Sequence, residues 1–235
     1  MELDGRTAVV TGGAQETGLA IALRLATAGA HVVIADLDEE RGEEAVQAIG
    51  GRARFVRTDV TDDAELRRAL SCEPQVLVNN AGGWGAANYP AASPDQWSTT
   101  LDLNLRAAML ATQLVLEPMR AAGGGAVVNI ASTAGIGSGG YASPEYGAAK
   151  AGLIRFTTSL ADLEHVRVNC VVPDWIATER GQRELAAMSA EERRAQPPQV
   201  PMEEVANAVL AFARDDTLRG RVVVLRGGEP RRFLP

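Results

Sequence analysis

The chain has 235 residues, a formal net charge of −7 and a pI near 5.0. That length suffices for one large α/β domain with a sizeable core, and no linker-like stretch divides it. The acidic balance excludes a general attraction to nucleic acid or to an anionic membrane surface, which needs clustered Lys and Arg, and no apolar run reaches transmembrane length.

The opening MELDGRTAVV lacks the basic start and long apolar core of a secretory leader, so a cytoplasmic protein is expected. Short β-rich runs then alternate with longer amphipathic stretches: TAVVT at 7–11, HVVIA at 31–35, ARFVR at 53–57 and QVLVN at 75–79, followed by AVVNIA at 126–131, VRVNCVV at 166–172 and RVVVL at 221–225. Val and Ile follow one another with little polar alternation, as in strands covered on both faces, and the helical spacers suit right-handed crossovers. The pattern predicts a doubly wound Rossmann fold of the α/β class: a seven-stranded parallel sheet with helices on both faces, in a single domain over 1–235. Asp38 is placed to cap a helix that stops at Gly50, and Pro94 and Pro144 fit first-turn positions. Trp97, inside a helix, reads as core.

Open parallel sheets bind ligands at the carboxyl ends of their strands. The residues that follow these runs are Thr11 and Gly12, Asp36, Asp59, Asn79 and Asn80, Ser132, and Pro173 with Asp174. His31 and His165 begin strands and so fall on the opposite edge. With no GxSxG elbow either, a Ser–His–Asp hydrolase is disfavoured. Cys72 and Cys170 are the only cysteines, too few for a disulfide framework, and no metal-ligand spacing is present.

Two motifs on the favoured edge carry chemistry. In TGGAQETG, at 11–18, Gly12 and Gly18 suit a turn whose backbone N–H groups approach a pyrophosphate at a helix N-terminus. Asp36 ends the second strand at about the spacing expected for an acid on the adenosine ribose hydroxyls, and its charge would repel a 2′-phosphate, which favours NAD(H) over NADP(H). In YGAAK, Tyr146 and Lys150 are four residues apart and share a helix face. A phenol, with an ordinary pKa of about 10, needs a neighbouring cation to ionise near neutral pH. Of the 23 basic residues 22 are Arg, and Lys150 is the single Lys. Where a chain otherwise uses guanidinium everywhere, a lone ammonium marks a chemical requirement.

With these residues and with DV at 59–60, NNAG at 79–82, LNL around Asn104, NIAS ending at Ser132 and RVNCVVP at 167–173, the chain resembles the short-chain dehydrogenase/reductase superfamily in its single-domain form. The resemblance spans essentially the whole chain. It implies a catalytic tetrad of Asn104, Ser132, Tyr146 and Lys150 acting on a small-molecule alcohol or carbonyl. Tyr146 would be the general acid/base, Ser132 would bond the substrate oxygen, Lys150 would hold the nicotinamide ribose and lower the Tyr146 pKa, and Asn104 would position a relay water. It further implies cofactor contacts at Gly12, Gln15, Thr17, Gly18, Asp36 and Leu37, at Asp59, Val60, Asn80, Ala81 and Gly82, and at Pro173, Ile176 and Thr178 beside Tyr146 and Lys150. Homodimers or homotetramers through the helices carrying Asn104 and Tyr146 are implied as well.

The chain departs from the family pattern at several points. Glu16 stands where the turn has glycine, and a carboxylate about 4 Å from a pyrophosphate would cost on the order of 4 kcal/mol per charge pair at an effective dielectric near 20. Two readings therefore stay open: an active NAD(H)-dependent enzyme interconverting a secondary alcohol and a ketone, or a cofactor-impaired relative acting as a binding or scaffold protein. Asp174 replaces a glycine after the strand-six proline, and Arg226 stands where an acid often precedes the final Gly pair; each reads as a local change. Trp84, Tyr141 and Trp175 are candidates for an aromatic substrate wall, 175–201 for a variable substrate-side segment, RELAAMSAEERRAQPPQV at 183–200 for a piece closing over substrate, and the tail EPRRFLP for an intersubunit contact.

Overall fold

The predicted apolar runs form the centre of one continuous sheet. In the computed structural model, which describes residues 1–83, 89–137 and 143–234, the first half runs β1 (Thr7–Thr11), α1 (Glu16–Thr27), β2 (His31–Asp36), α2 (Glu39–Ile49), β3 (Ala53–Arg57), α3 (Asp63–Leu70) and β4 (Val76–Asn79). The second half runs α4 (Pro94–Leu101), a π-helical turn (Asp102–Arg106), α5 (Ala107–Ala121), β5 (Gly125–Ile130), a 3₁₀ turn (Thr133–Gly135), α6 (Pro144–Ser159) and β6 (Val166–Pro173). It ends in α7 (Glu179–Ala187), α8 (Ala190–Ala195), α9 (Met202–Arg214), β7 (Val222–Leu225) and β8 (Arg232–Phe233). Trp84 and Tyr141 lie outside the described residues.

Strand order is β3-β2-β1-β4-β5-β6-β7-β8, and every pair from β3 to β7 is parallel. The seven-stranded expectation is corrected by one strand. Arg232 and Phe233 of the tail pair antiparallel with Val224 and Val223. This strand has two residues, both exposed, so it shows neither an apolar run nor alternation. The tail, a candidate for an intersubunit contact, pairs along the sheet edge of its own chain, with Phe233 edge-on to Phe212.

Both faces of the central strands are covered, which is why β1, β2, β4, β5, β6 and β7 are rich in Val and Ile, whereas the edge strand β3 has no buried residue. Ile21, Leu25, Val205, Val209 and Phe212 pack α1 and α9 on one face; Leu66, Ala111, Val115 and Met119 pack α3 and α5 on the other. Helix ends follow the sequence signals: Asp38 accepts from Arg41 N at 3.0 Å, and Pro94 and Pro144 occupy first turns. Trp97 is a correction, for it lies on the outer side of α4 with 36% of its surface exposed.

Because β1 lies between β2 and β4, the crossovers leave it toward opposite sides, and a crevice opens at its carboxyl end. Thr11 stitches that point together: its hydroxyl donates to Val78 O at 3.3 Å and accepts from Asn80 N and Ala81 N at 3.0 and 3.1 Å.

Candidate functional site

The glycine-rich turn folds back on itself closely enough to require glycine at 18, where an added Cβ would come within 1.9 Å of Gly12 O. The Asn80 amide braces the turn from β4, donating to Thr11 O and Gly12 O at 3.1 and 2.8 Å. Asp36 braces it from β2, with its carboxylate accepting from Ala14 N at 3.0 Å and Asp38 N at 3.2 Å. No side chain caps the N-terminus of α1, where Gln15 is the N-cap residue and is exposed. That leaves the first-turn N–H groups of α1 facing the crevice, the arrangement that receives phosphate oxygens.

A cleft of about 340 Å³ lies over this turn, lined by Gly12, Gln15, Thr17, Gly18, Asp36 and Leu37 and by Asp59, Val60, Asn80, Ala81 and Gly82. All eleven cofactor positions expected on this side are therefore brought together. Ala35, Thr58 and Leu103 line it too and were not anticipated; Thr58 sits between strand three and Asp59, so its place could have been read. The Asp59 carboxylate is committed to Thr61, from its N–H at 2.9 Å and its hydroxyl at 2.7 Å.

The cleft continues into a second cavity of about 630 Å³ that contains Ser132, Tyr146, Lys150, Pro173, Trp175, Ile176 and Thr178. The Lys150 ammonium is buried, donates to Ile130 O at 3.0 Å and lies 5.5 Å from the centroid of the Tyr146 ring. Burial pushes its pKa down to about 8, the opposing influence being the Cys170 thiol, itself pushed up to about 12 by burial. Ser132 begins the 3₁₀ turn, and its Oγ accepts from Ala134 N at 3.2 Å.

Asn104 is not in the cavity wall but directly behind it. It sits in the π-helical turn, a distortion common at functional sites. Its Nδ2 donates to Gly83 O at 2.7 Å and Thr100 O at 2.9 Å, and its Oδ1 accepts from Gly83 N at 3.0 Å. A Cβ on Gly82 would stand 2.7 Å from Asn104 Oδ1 and 3.1 Å from Lys150 Nζ, so the three are packed as one unit.

The remaining departures resolve into contacts. Asp174 and Arg226, read separately in the sequence, face each other: Asp174 Oδ2 is 3.9 Å from Arg226 Nε, while Asp174 Oδ1 accepts from the Thr133 hydroxyl at 2.8 Å. Glu16 adopts φ +47°, the left-handed region that costs a side-chain-bearing residue roughly 1–2 kcal/mol. Its carboxylate does not cap its own helix. Oε1 accepts from Glu179 N, at the start of α7, at 2.7 Å.

Comparison with known proteins places these features in a common setting. The family model described as short chain dehydrogenase matches residues 6–189. A cyclopentanol dehydrogenase from Comamonas is 35% identical, with 96% of this chain and 97% of that protein covered. A 3-oxoacyl-(acyl-carrier-protein) reductase from Chlamydia trachomatis is 33% identical over 96% and 98%. The crystal structure of a short-chain dehydrogenase/reductase from Burkholderia xenovorans superposes with a TM-score of 0.86 at 36% identity, covering 97% of both chains.

Proposed function

Because this chain belongs to the short-chain dehydrogenase family, and is thereby an oxidoreductase, we propose that it interconverts a secondary alcohol and a ketone with NAD(H). The observation that carries this reading is the buried pair of Tyr146 and Lys150 at the floor of a cavity that opens into the glycine-turn cleft. The turn fits a dinucleotide: it folds back on itself too tightly at Gly18 for any side chain, and the uncapped start of α1 faces the cleft over it. Gly12, Gln15, Thr17 and Gly18 would hold its phosphates and Asp36 its adenosine ribose, with Leu37, Asp59, Val60 and Ala81 around the adenine side and Asn80 and Gly82 lining the cleft between the two cavities. Pro173, Ile176 and Thr178 would meet the nicotinamide end. Bound there, the dinucleotide supplies or accepts a hydride.

The protein's own groups handle the proton and the substrate oxygen. Tyr146 Oη gives a proton to that oxygen during reduction and takes one during oxidation, while Ser132 Oγ hydrogen-bonds it. The positive charge of Lys150 lowers the cost of the Tyr146 phenolate, and Asn104 holds the Gly82–Gly83 wall against Lys150. Trp175 lines the substrate side. Both named relatives fit this class, one acting on cyclopentanol and the other on a 3-oxoacyl group, as their names state.

The cofactor choice rests on Asp36. Titrating the purified protein with NADH and NADPH by nicotinamide fluorescence should give the tighter constant for NADH, and Asp36→Ala should narrow the ratio by about tenfold, since it removes one like-charge contact with a 2′-phosphate. Equal constants in the unaltered protein would overturn the NAD(H) assignment.

We further propose a homodimer or homotetramer. A groove between the π-helical turn, α5 and α6 exposes Leu105, Met109, Leu110, Leu116, Phe156 and Leu160, and a second copy fits it because the groove lies on the helices that carry Asn104 and Tyr146. Met109, 41% exposed, should tolerate Asp in a monomer and not in an interface, so sedimentation of Met109→Asp should show dissociation. An unchanged sedimentation coefficient would place the interface elsewhere. Among the described residues no helix is long and apolar enough to cross a membrane; with Cys72 and Cys170 both free thiols, we assign the protein to the cytoplasm, a placement that fractionation with a membrane pellet would contradict.

A further inference from the structure

Glu16 does something that the cofactor reading does not use. Together with Thr17, Asn80 and Gly82 it lines both the cleft over the glycine turn and the cavity beside Tyr146, so these residues mark the waist between the two. From the waist its carboxylate reaches 163 residues along the chain to Glu179 N, the first amide of α7. The third amide of that helix, Gly181 N, is already held by the Thr178 hydroxyl at 3.1 Å. The first turn of α7 thus has one amide satisfied locally and one satisfied by a residue of the glycine-rich turn.

The segment so held is lightly packed beyond the stretch that enters it, where Val200 N donates to Trp175 O at 2.8 Å and Ala177 N to Val200 O at 3.0 Å. Gly181 is the only buried residue of α7, and α8 has none. Lightly packed elements open with little free energy, so a charge-assisted hydrogen bond at the start of α7 adds to what keeps that helix against the cleft. Glu16 itself is in the left-handed conformation, which a residue with a side chain keeps only when its surroundings demand it.

We propose that Glu16 is a strap across the waist of the cleft: its carboxylate ties the start of α7 to the glycine-rich turn and has to release α7 each time a dinucleotide enters or leaves. The inference rests on the dinucleotide reading above. It differs from simple charge repulsion, because the reach of the side chain matters as well as its sign. Glu16→Asp keeps the charge and removes one methylene, so it breaks the strap and retains the repulsion. Glu16→Gln keeps the reach and an acceptor oxygen while losing the charge assistance.

The test combines two measurements on the full-length protein. Stopped-flow mixing with NADH should show association and dissociation rates both raised, by about tenfold, in Glu16→Ala and Glu16→Asp, with Glu16→Gln between them and the unaltered protein. Hydrogen exchange of the cofactor-free proteins should show the Glu179 amide losing protection in Glu16→Ala and Glu16→Asp. Rates that stay within twofold of the unaltered protein overturn the strap, whatever the exchange shows. Rates raised in Glu16→Ala and Glu16→Gln with Glu16→Asp unchanged overturn it in favour of repulsion alone. If neither the unaltered protein nor any variant takes up NADH or NADPH, the dinucleotide reading itself fails, a pattern distinct from normal binding with unchanged rates.

Discussion

Tyr146→Phe is expected to bind NADH with a dissociation constant within about threefold of the unaltered protein and to turn over substrate about 10²–10⁴ times more slowly, the range for losing a positioned proton donor. The substitution removes one oxygen from a ring that is 7% exposed and packed 5.5 Å from Lys150 Nζ. The ring remains, so the packing of α6 against the 3₁₀ turn is kept and the loss is chemical. Rates at saturating cofactor on cyclopentanol and on a 3-oxoacyl thioester, with NADH affinity taken from fluorescence titration, separate the two effects. A fall of less than tenfold on every substrate that the unaltered protein turns over would move the proton transfer to another group. Loss of NADH affinity in parallel would make Tyr146 a binding residue instead. The separation is sharp because the site divides spatially, the glycine turn and Asp36 lying in one cavity and Ser132, Tyr146 and Lys150 in the other.

The parts of this architecture that were legible in the sequence are those set by local chemistry. Seven apolar runs became seven strands because Val and Ile covered on both faces leave no polar alternation to read, and the residues after them fell on one edge because parallel strands all end there. Tyr146 and Lys150 could be paired from their spacing on a helix alone. What escaped depends on contacts between distant segments. Glu16 in a local reading threatens a phosphate; only the fold brings the start of α7 to within 2.7 Å of it. Asp174 and Arg226 looked like two unrelated departures until the adjacency of β6 and β7 put their side chains together. β8 has too few residues to carry a pattern, and Trp97 is on the exposed side of a helix whose short apolar face does not predict which side is out. Asn104 was found by motif, but its setting in a π-helical turn, with its side chain holding Gly83, is a tertiary fact.

Lys150 gives the largest expected effect on stability, and the sign follows from its burial. Its pKa is pushed from the ordinary lysine value of 10.5 down to about 8 in the folded protein, by desolvation. Between those two values the unfolded chain binds a proton that the folded one does not, so stability rises with pH across that window. Above 10.5 the group is neutral in both states and contributes no pH-dependent term; as pH falls toward 8 the penalty accumulates, and below 8 it is fully present, on the order of 3 kcal/mol. Lys150→Met fills a similar volume without a charge, though it leaves Ile130 O without the donor it has at 3.0 Å. That lost bond shifts the variant's stability by an amount independent of pH, so the comparison to make is the change with pH. Denaturant midpoints of the two proteins between pH 7 and 10.5 should show the unaltered protein gaining on the variant by roughly that 3 kcal/mol, with most of the gain above pH 8. Parallel curves would mean that Lys150 is solvated or compensated in the folded state. A gain of the expected size would mean that the fold tolerates a buried ammonium at measurable cost, in a chain whose other 22 basic residues are arginine. Such a cost is kept where the ammonium is needed beside the phenol.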